Sequence, residues 1–150
     1  MTATNHAMTG AIVGLTVASP VIALPLAFVS HYVLDAIPHF KANQPDEVLL
    51  KTNWFRNYLV VEALLCFLIV VALFVSRPNY WFIPAMCAFL AAAPDLFSIN
   101  KYLKVRAGKQ WKPGWYVKFA GGIQWFQRPI GAVVEVAWFI AALTVLANIL

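Results

Sequence analysis

The stretch that decides the fold runs from His6 to Pro38 and has the sequence HAMTGAIVGLTVASPVIALPLAFVSHYVLDAIP. Its 33 residues are apolar almost throughout. A single helix of that length would extend about 50 Å, which exceeds the hydrocarbon layer of about 30 Å. Proline disfavours helix in the residue before it and suits the first turn of the next helix, so the chain is expected to break at Ser19-Pro20. The sequence therefore predicts a short N-terminal helical hairpin, with helices over 6–18 and 20–38.

The composition of the whole chain is typical of a membrane protein. Of its 150 residues, 62% are hydrophobic and 11% are charged, whereas a soluble domain carries about 25% charged residues. Further apolar stretches at 54–76, 80–100 and 129–150 bring the expected number of helices to about five. A cleaved signal peptide is not indicated, because the first ten residues contain no Lys or Arg. We predict an all-α polytopic membrane protein with a single transmembrane domain over residues 1–150.

Small residues and cysteines indicate how these helices pack. Gly10, Gly14 and Ala18 fall four positions apart, a spacing that lets helices approach closely in lipid. Cys66 and Cys87 lie in separate apolar stretches without CxxC spacing, so neither a disulfide framework nor a zinc knuckle is indicated. We expect both cysteines to be buried, unreactive thiols.

The basic residues indicate the orientation of the chain in the membrane. Successive crossings alternate in direction, so the start of the first helix, the end of the second, the start of the third, the end of the fourth and the start of the fifth share one side. Ten of the eleven basic residues lie near these ends, and only Arg77 lies opposite. An excess of Lys and Arg in short loops marks the cytoplasmic face. We expect a multi-pass protein of the cell inner (plasma) membrane with its N-terminus in the cytoplasm.

The same helix ends carry all three histidines of the chain and two of its acidic residues. His31 and Asp35 are four positions apart and project from one helix face, and His39 follows four positions later. Imidazoles with carboxylates suit a divalent ion, zinc first, with manganese or iron as alternatives. Since five groups exceed the needs of one catalytic zinc, some of them orient the imidazoles or two ions are bound. The predicted metal ligands are His6, His31, Asp35, His39 and Asp95. Taken singly, each histidine also fits an interfacial or loop residue that binds nothing.

Two further carboxylates, Glu62 and Glu135, lie about two turns inside predicted transmembrane helices. An acid at that depth is costly unless it is paired, hydrated or protonated, so it indicates function by default. In the functional interpretation, either residue is a catalytic general base beside the metal. In the structural alternative, Glu62 pairs with Arg56 or Arg128, or stays protonated.

Residues 101–128 mix seven cationic residues with Tyr, Trp and Phe. This mixture is typical of the lipid headgroup zone and favours anionic headgroups, so membrane lipids are the expected partners. Nucleic acid is not expected, because these cations flank membrane helices. Simple anchoring of the helices is the alternative to specific recognition of a phosphate.

Three short pieces of the chain resemble conserved pieces of the bacterial membrane-bound metal-dependent hydrolase family. They are Asn5-His6, Ser30-His31-Tyr-Val-Leu-Asp35 and Pro94-Asp95. The family's His-Arg-Gly-x-Thr-His-Ser element is missing, and Phe97 stands where the family has a second aspartate. The resemblance implies a metal site embedded in the membrane.

The favoured functional hypothesis is a metal-dependent hydrolase acting on a lipid or a lipid-linked, phosphate-containing substrate at the cytoplasmic membrane face. A non-enzymatic binder or transporter of divalent metal ions is the first alternative. Transport would require polar residues that continue to the far side, but residues 67–75 are wholly apolar. A small structural subunit of a larger membrane assembly is the second alternative.

Overall fold

Helices account for 75% of the chain, and no strand is present. The computed structural model describes residues 1–150 in full. In chain order the elements are α1 (Ala3–Thr16), α2 (Pro20–Ala36), α3 (Asp46–Leu49), α4 (Asn53–Ser76), α5 (Phe82–Ala92), a 3₁₀ turn (Ala93–Ser98), α6 (Ile99–Arg106), α7 (Trp115–Ile123) and α8 (Gly131–Ile149).

The number of helices differs from the prediction. Because α5, the 3₁₀ turn and α6 form one rod over Phe82–Arg106, the chain has seven helical segments, and about five was wrong. The rod continues past its predicted end because Pro94 lies in the first turn of the 3₁₀ segment, where its missing N–H is not needed. The two extra segments are α3, which lies between α2 and α4, and α7, which lies in the basic and aromatic stretch.

Three segments are long and apolar enough to cross a membrane, namely α4, the rod and α8. The predicted break in the first apolar stretch is present, because α1 ends at Thr16 and Pro20 is the first residue of α2. Both helices of this hairpin are shorter than the three candidate spans. The all-helical architecture and the N-terminal hairpin therefore follow the prediction.

Helix α1 lies at the centre of the fold and packs against α2, α4, α5 and α8. Its residues Ala7, Met8 and Ala11 are buried in the main hydrophobic cluster. Helices α1 and α5 approach so closely that a Cβ on Gly10 would lie 2.3 Å from the carbonyl oxygen of Cys87. Cys66 and Cys87 are unpaired thiols, with Cys87 fully buried and Cys66 half-buried.

The contact at Gly10 makes a testable prediction about stability. Replacing Gly10 with alanine is expected to lower the free energy of unfolding by about 2 kcal/mol, because the added methyl group forces two backbones apart. Thermal unfolding in detergent measures the effect. Gly121→Ala is the matched control, since a Cβ at Gly121 meets no atom within 4 Å. Equal melting temperatures for the two variants would contradict the close packing of α1 on α5.

Candidate metal centre

The start of α1, the end of α2 and the 3₁₀ turn bring two imidazoles and a carboxylate together. The rings of His6 and His31 stack with their centroids 4.0 Å apart. Asp95 joins them, and each of the three residues offers a ligand atom within 4.8 Å of the other two. Both histidines are buried and Asp95 is partly buried. These three residues could hold a metal ion, and the convergence predicted from the helix ends is present for them.

The hydrogen bonds of His31 determine which of its nitrogens is free. Its Nδ1 lies 2.8 Å from the carbonyl oxygen of Ala91, which can only accept, so Nδ1 carries a proton and donates it. In a neutral imidazole, Nε2 is then the bare nitrogen. Nε2 faces an oxygen of Asp35 at 3.3 Å and an oxygen of Asp95 at 4.0 Å. Three electron-rich atoms repel one another unless a proton or a metal cation lies between them.

His6 also has one ring nitrogen that faces Asp35 and one that has no partner. Its Nε2 lies 3.2 Å from Oδ1 of Asp35, and its Nδ1 is buried without any hydrogen-bond partner. A buried polar atom with no partner calls for an explanation, because the large majority of such atoms are paired. The fully buried ring therefore has one nitrogen available to a ligand in either tautomer.

Asp35 is the acceptor that orients this cluster. Besides facing both imidazoles, its carboxylate accepts from the amino group of Met1 at 2.6 Å and from Nε2 of Gln124 at 2.7 Å. A carboxylate bonded to imidazoles that bind a metal fixes ring orientation and raises ligand basicity. Its geometry is therefore that of an orienting group for His6. His31 turns towards Asp35 the same Nε2 that it would offer to an ion, so the orientation of its ring comes from the bond between Nδ1 and Ala91.

His39 lies apart from these groups. Its Nδ1 donates to the carbonyl oxygen of Ile37 at 2.9 Å, and its Nε2 accepts from Gln127 at 3.1 Å. Burial, with the positive amino group of Met1, lowers the pKa of His39, so the neutral ring that these bonds require is favoured. Gln127 also donates to Gln124, which contacts Asp35, so His39 reaches the cluster only through two amides.

The two glutamates occupy different positions around the cluster. Oε2 of Glu62 accepts from the backbone N–H and the hydroxyl of Thr4, both at 2.8 Å, so this carboxylate caps the start of α1. Neither Arg56 nor Arg128 forms an ion pair with Glu62. Glu135 accepts from the backbone N–H of Phe40 at 3.3 Å and is half-buried.

Several contacts at this end of the fold were missed by the sequence analysis. Gln124 and Gln127 lie just beyond the end of α7, outside any helix, in a stretch singled out for its charges and aromatic rings. Thr4, which directly precedes the piece Asn5-His6, was not singled out. Asn5, whose side chain donates to the carbonyl oxygen of Glu135 at 3.0 Å, ties α1 to α8.

Comparison of the chain with protein-family models, curated proteins and solved structures finds no match. The resemblance to the membrane-bound metal-dependent hydrolases stays a prediction that rests on the three short sequence pieces.

Proposed function

We propose that this protein is a membrane-embedded, metal-dependent hydrolase that acts on a lipid or a lipid-linked, phosphate-containing substrate at the cytoplasmic face of the plasma membrane. The observation that carries the proposal is the convergence of His6, His31 and Asp95, whose ligand atoms lie within 4.8 Å of one another. Nitrogen and oxygen donors in this combination suit zinc, with manganese or iron as alternatives. His6, His31 and Asp95 are the proposed ligands, Asp35 orients the ring of His6, and the carbonyl oxygen of Ala91 orients that of His31.

A divalent ion held by these residues would supply activation of a water molecule and polarisation of the scissile ester. Hydrolysis would join a water oxygen to the carbonyl carbon or phosphorus and break the bond from that atom to the ester oxygen, which would leave with a proton. Glu62 or Glu135 is the proposed acceptor of the proton that the water loses. Glu62 has the better placement, because it lines the same apolar groove as Asp95.

A surface rich in lysine around α6 supports a phosphate-containing substrate. An open depression of about 620 Å³ there is lined by four lysines and two acids, together with Trp111 and others: Lys51, Lys101, Lys109, Lys112, Asp46 and Glu47. The ammonium of Lys101 lies 5.2 Å from the centre of the Trp111 ring and also pairs with Asp46. Trp115 of α7 is largely exposed. Cations and amphipathic rings together favour contact with anionic headgroups.

The proposal is tested by assaying the purified protein in liposomes of phosphatidylglycerol and phosphatidylethanolamine. We expect release of water-soluble phosphate compounds or free fatty acid with Zn²⁺, Mn²⁺ or Fe²⁺, and loss of release after chelation. Asp95→Asn is expected to lower the rate by about 100-fold or more, since it removes a proposed ligand. Arg77→Gln is the matched control on the opposite side of the fold. Absence of hydrolysis with all three metals would contradict the proposal.

The side chains of α8 and α4 beyond the cluster do not favour the transporter alternative, because they offer an ion few free polar groups. In α8 the side chains of Thr144 and Asn148 bond to carbonyl oxygens of their own helix, at 2.8 Å each. In α4 residues 67–75 are apolar. Metal flux into the same liposomes, measured with a fluorescent chelator inside them, separates transport from hydrolysis. No specific contact favours the alternative of a purely structural subunit.

A further inference from the structure

An apolar groove, called the α4–α5 groove below, runs between α4 and the rod, with residues of α1 at its base. It has a volume of about 470 Å³, and 13 of its 15 lining residues are hydrophobic. Six of those residues are alanines, contributed by all three helices, so the groove exists because small side chains leave the space open. Along α4 the lining runs from Leu59 to Val70 at helical spacing.

The groove has two carboxylates and almost no other polar lining. Glu62 and Asp95 are the only charged residues that border it. Asp95 is also one of the three proposed metal ligands, so the groove adjoins the candidate metal centre. A long apolar cavity that meets a polar, metal-binding group is suited to a ligand with one hydrocarbon part and one polar part.

The dimensions of the groove determine what can occupy it. Eleven residues separate Leu59 from Val70, which corresponds to about 16 Å along the helix axis. Dividing the volume of about 470 Å³ by that length gives a mean cross-section of about 29 Å², which is that of a channel about 6 Å wide. A helix is about 10 Å across and does not fit. A hydrocarbon chain, whose carbons pack about 4 Å from their neighbours, does fit.

We propose that this groove holds one hydrocarbon chain of a membrane lipid, with the ester-bearing end of that lipid at Asp95. This inference rests on the proposed function and names its substrate class, an acyl-chain lipid that enters sideways from the bilayer. Both walls of the groove belong to candidate membrane spans, so its opening faces the hydrocarbon layer. Lipid tails are as apolar as the lining, so the groove would position and align the hydrocarbon chain more than it would raise the affinity for the lipid.

A second groove on the other side of α4 provides an internal comparison. It lies between α4 and α8, has a volume of about 310 Å³ and is lined by Ala72 and eleven other residues. No acidic residue borders it. A chain that enters it would therefore have no metal-binding group at its end.

The inference is tested by cross-linking in liposomes of phosphatidylglycerol and phosphatidylethanolamine that contain phosphatidylglycerol with a photoreactive diazirine on one acyl chain. Peptide mass spectrometry counts the cross-links on the α4–α5 groove. Ala63→Phe fills this groove, and Ala72→Phe, on the same helix, fills the other one. Both alanines are exposed, so neither phenyl ring enters the packed core. We expect Ala63→Phe to reduce cross-links in the α4–α5 groove by about tenfold and Ala72→Phe to leave them within about twofold.

Cross-links that persist in Ala63→Phe, or that fall equally in both variants, would overturn the inference. Zinc content and hydrolysis, measured on the same samples, separate its failure from failure of the proposed function. Selective loss of cross-links in a protein that binds no metal supports the groove and contradicts the hydrolase. Metal-dependent hydrolysis with unchanged cross-links contradicts the groove and supports the hydrolase.

Discussion

Replacing His31 with alanine is expected to lower the affinity of the protein for Zn²⁺ by more than about 100-fold. Loss of a residue that merely orients a ligand already costs about 10- to 100-fold in metal affinity, and His31 is a proposed ligand itself. Its Nδ1 proton is held by the carbonyl oxygen of Ala91, which leaves Nε2 free towards Asp35 and Asp95. Elemental analysis after dialysis, followed by competition with a chelating dye, measures the loss.

His39→Ala is the matched control for this experiment. It removes an imidazole from the same end of the fold, but one whose two nitrogens are engaged by Ile37 and Gln127. We expect His39→Ala to retain stoichiometric zinc, with an affinity within about tenfold of the parent protein, since His39 reaches Asp35 only through Gln127 and Gln124. If His39→Ala loses as much zinc as His31→Ala, the ligand set proposed above is incorrect. Equal zinc binding by the parent protein and His31→Ala would contradict the proposed metal centre as a whole.

Replacing Glu62 with leucine is expected to lower the free energy of unfolding by about 4 kcal/mol. The carboxylate accepts two hydrogen bonds from Thr4, and a hydrogen bond to a charged group contributes about 1.5–3 kcal/mol. The substitution leaves the N–H and hydroxyl of Thr4 buried without an acceptor, at the turn of α1 that precedes His6. Thermal unfolding in detergent, with zinc removed by chelation, measures the stability without a contribution from the metal.

Glu62→Gln separates the capping role from the proposed proton transfer. Its amide oxygen can still accept from Thr4, so we expect a loss of only about 1 kcal/mol. The same variant cannot take a proton, and loss of a general base lowers the rate by about 100- to 10,000-fold. Unchanged hydrolysis by Glu62→Gln would assign the base to Glu135 or to another group. Full stability of Glu62→Leu would contradict the cap on α1.

The sequence was sufficient to predict where the chain breaks and that His6, His31 and Asp95 lie at the same end of the fold. The proline after Ser19 splits a stretch too long for one crossing, and alternation of the crossings then brings His6, His31 and Asp95 to one end. Both steps depend on helix length and direction, which hydropathy and proline reveal. The number of helices was not predictable on the same basis, because α7 is short and amphipathic, without the long apolar stretch that marks a membrane span.

The details of the cluster depend on tertiary contacts that no local pattern encodes. His39 follows Asp35 by four positions and was predicted as a metal ligand beside it, but α2 ends at Ala36 and the chain turns away. There the backbone of His39 pairs with Gln127, and the N–H of Arg128 donates to the carbonyl oxygen of His39 at 3.1 Å. Glu62 likewise accepts from Thr4, 58 residues away in the sequence, and pairs with neither of the arginines considered for it.

The 3₁₀ turn between α5 and α6 changes the direction in which the later side chains of the rod lie around its axis. Each residue of a 3₁₀ helix advances the chain by about 120° around the axis, whereas an α-helical residue advances it by about 100°. Over the six residues Ala93–Ser98, the difference accumulates to about 120°. Helix α6 therefore turns outward a side that a uniform α-helix would have turned a third of a revolution away, and the direction in which Lys101 and Lys104 lie around the axis follows from the 3₁₀ turn that precedes them.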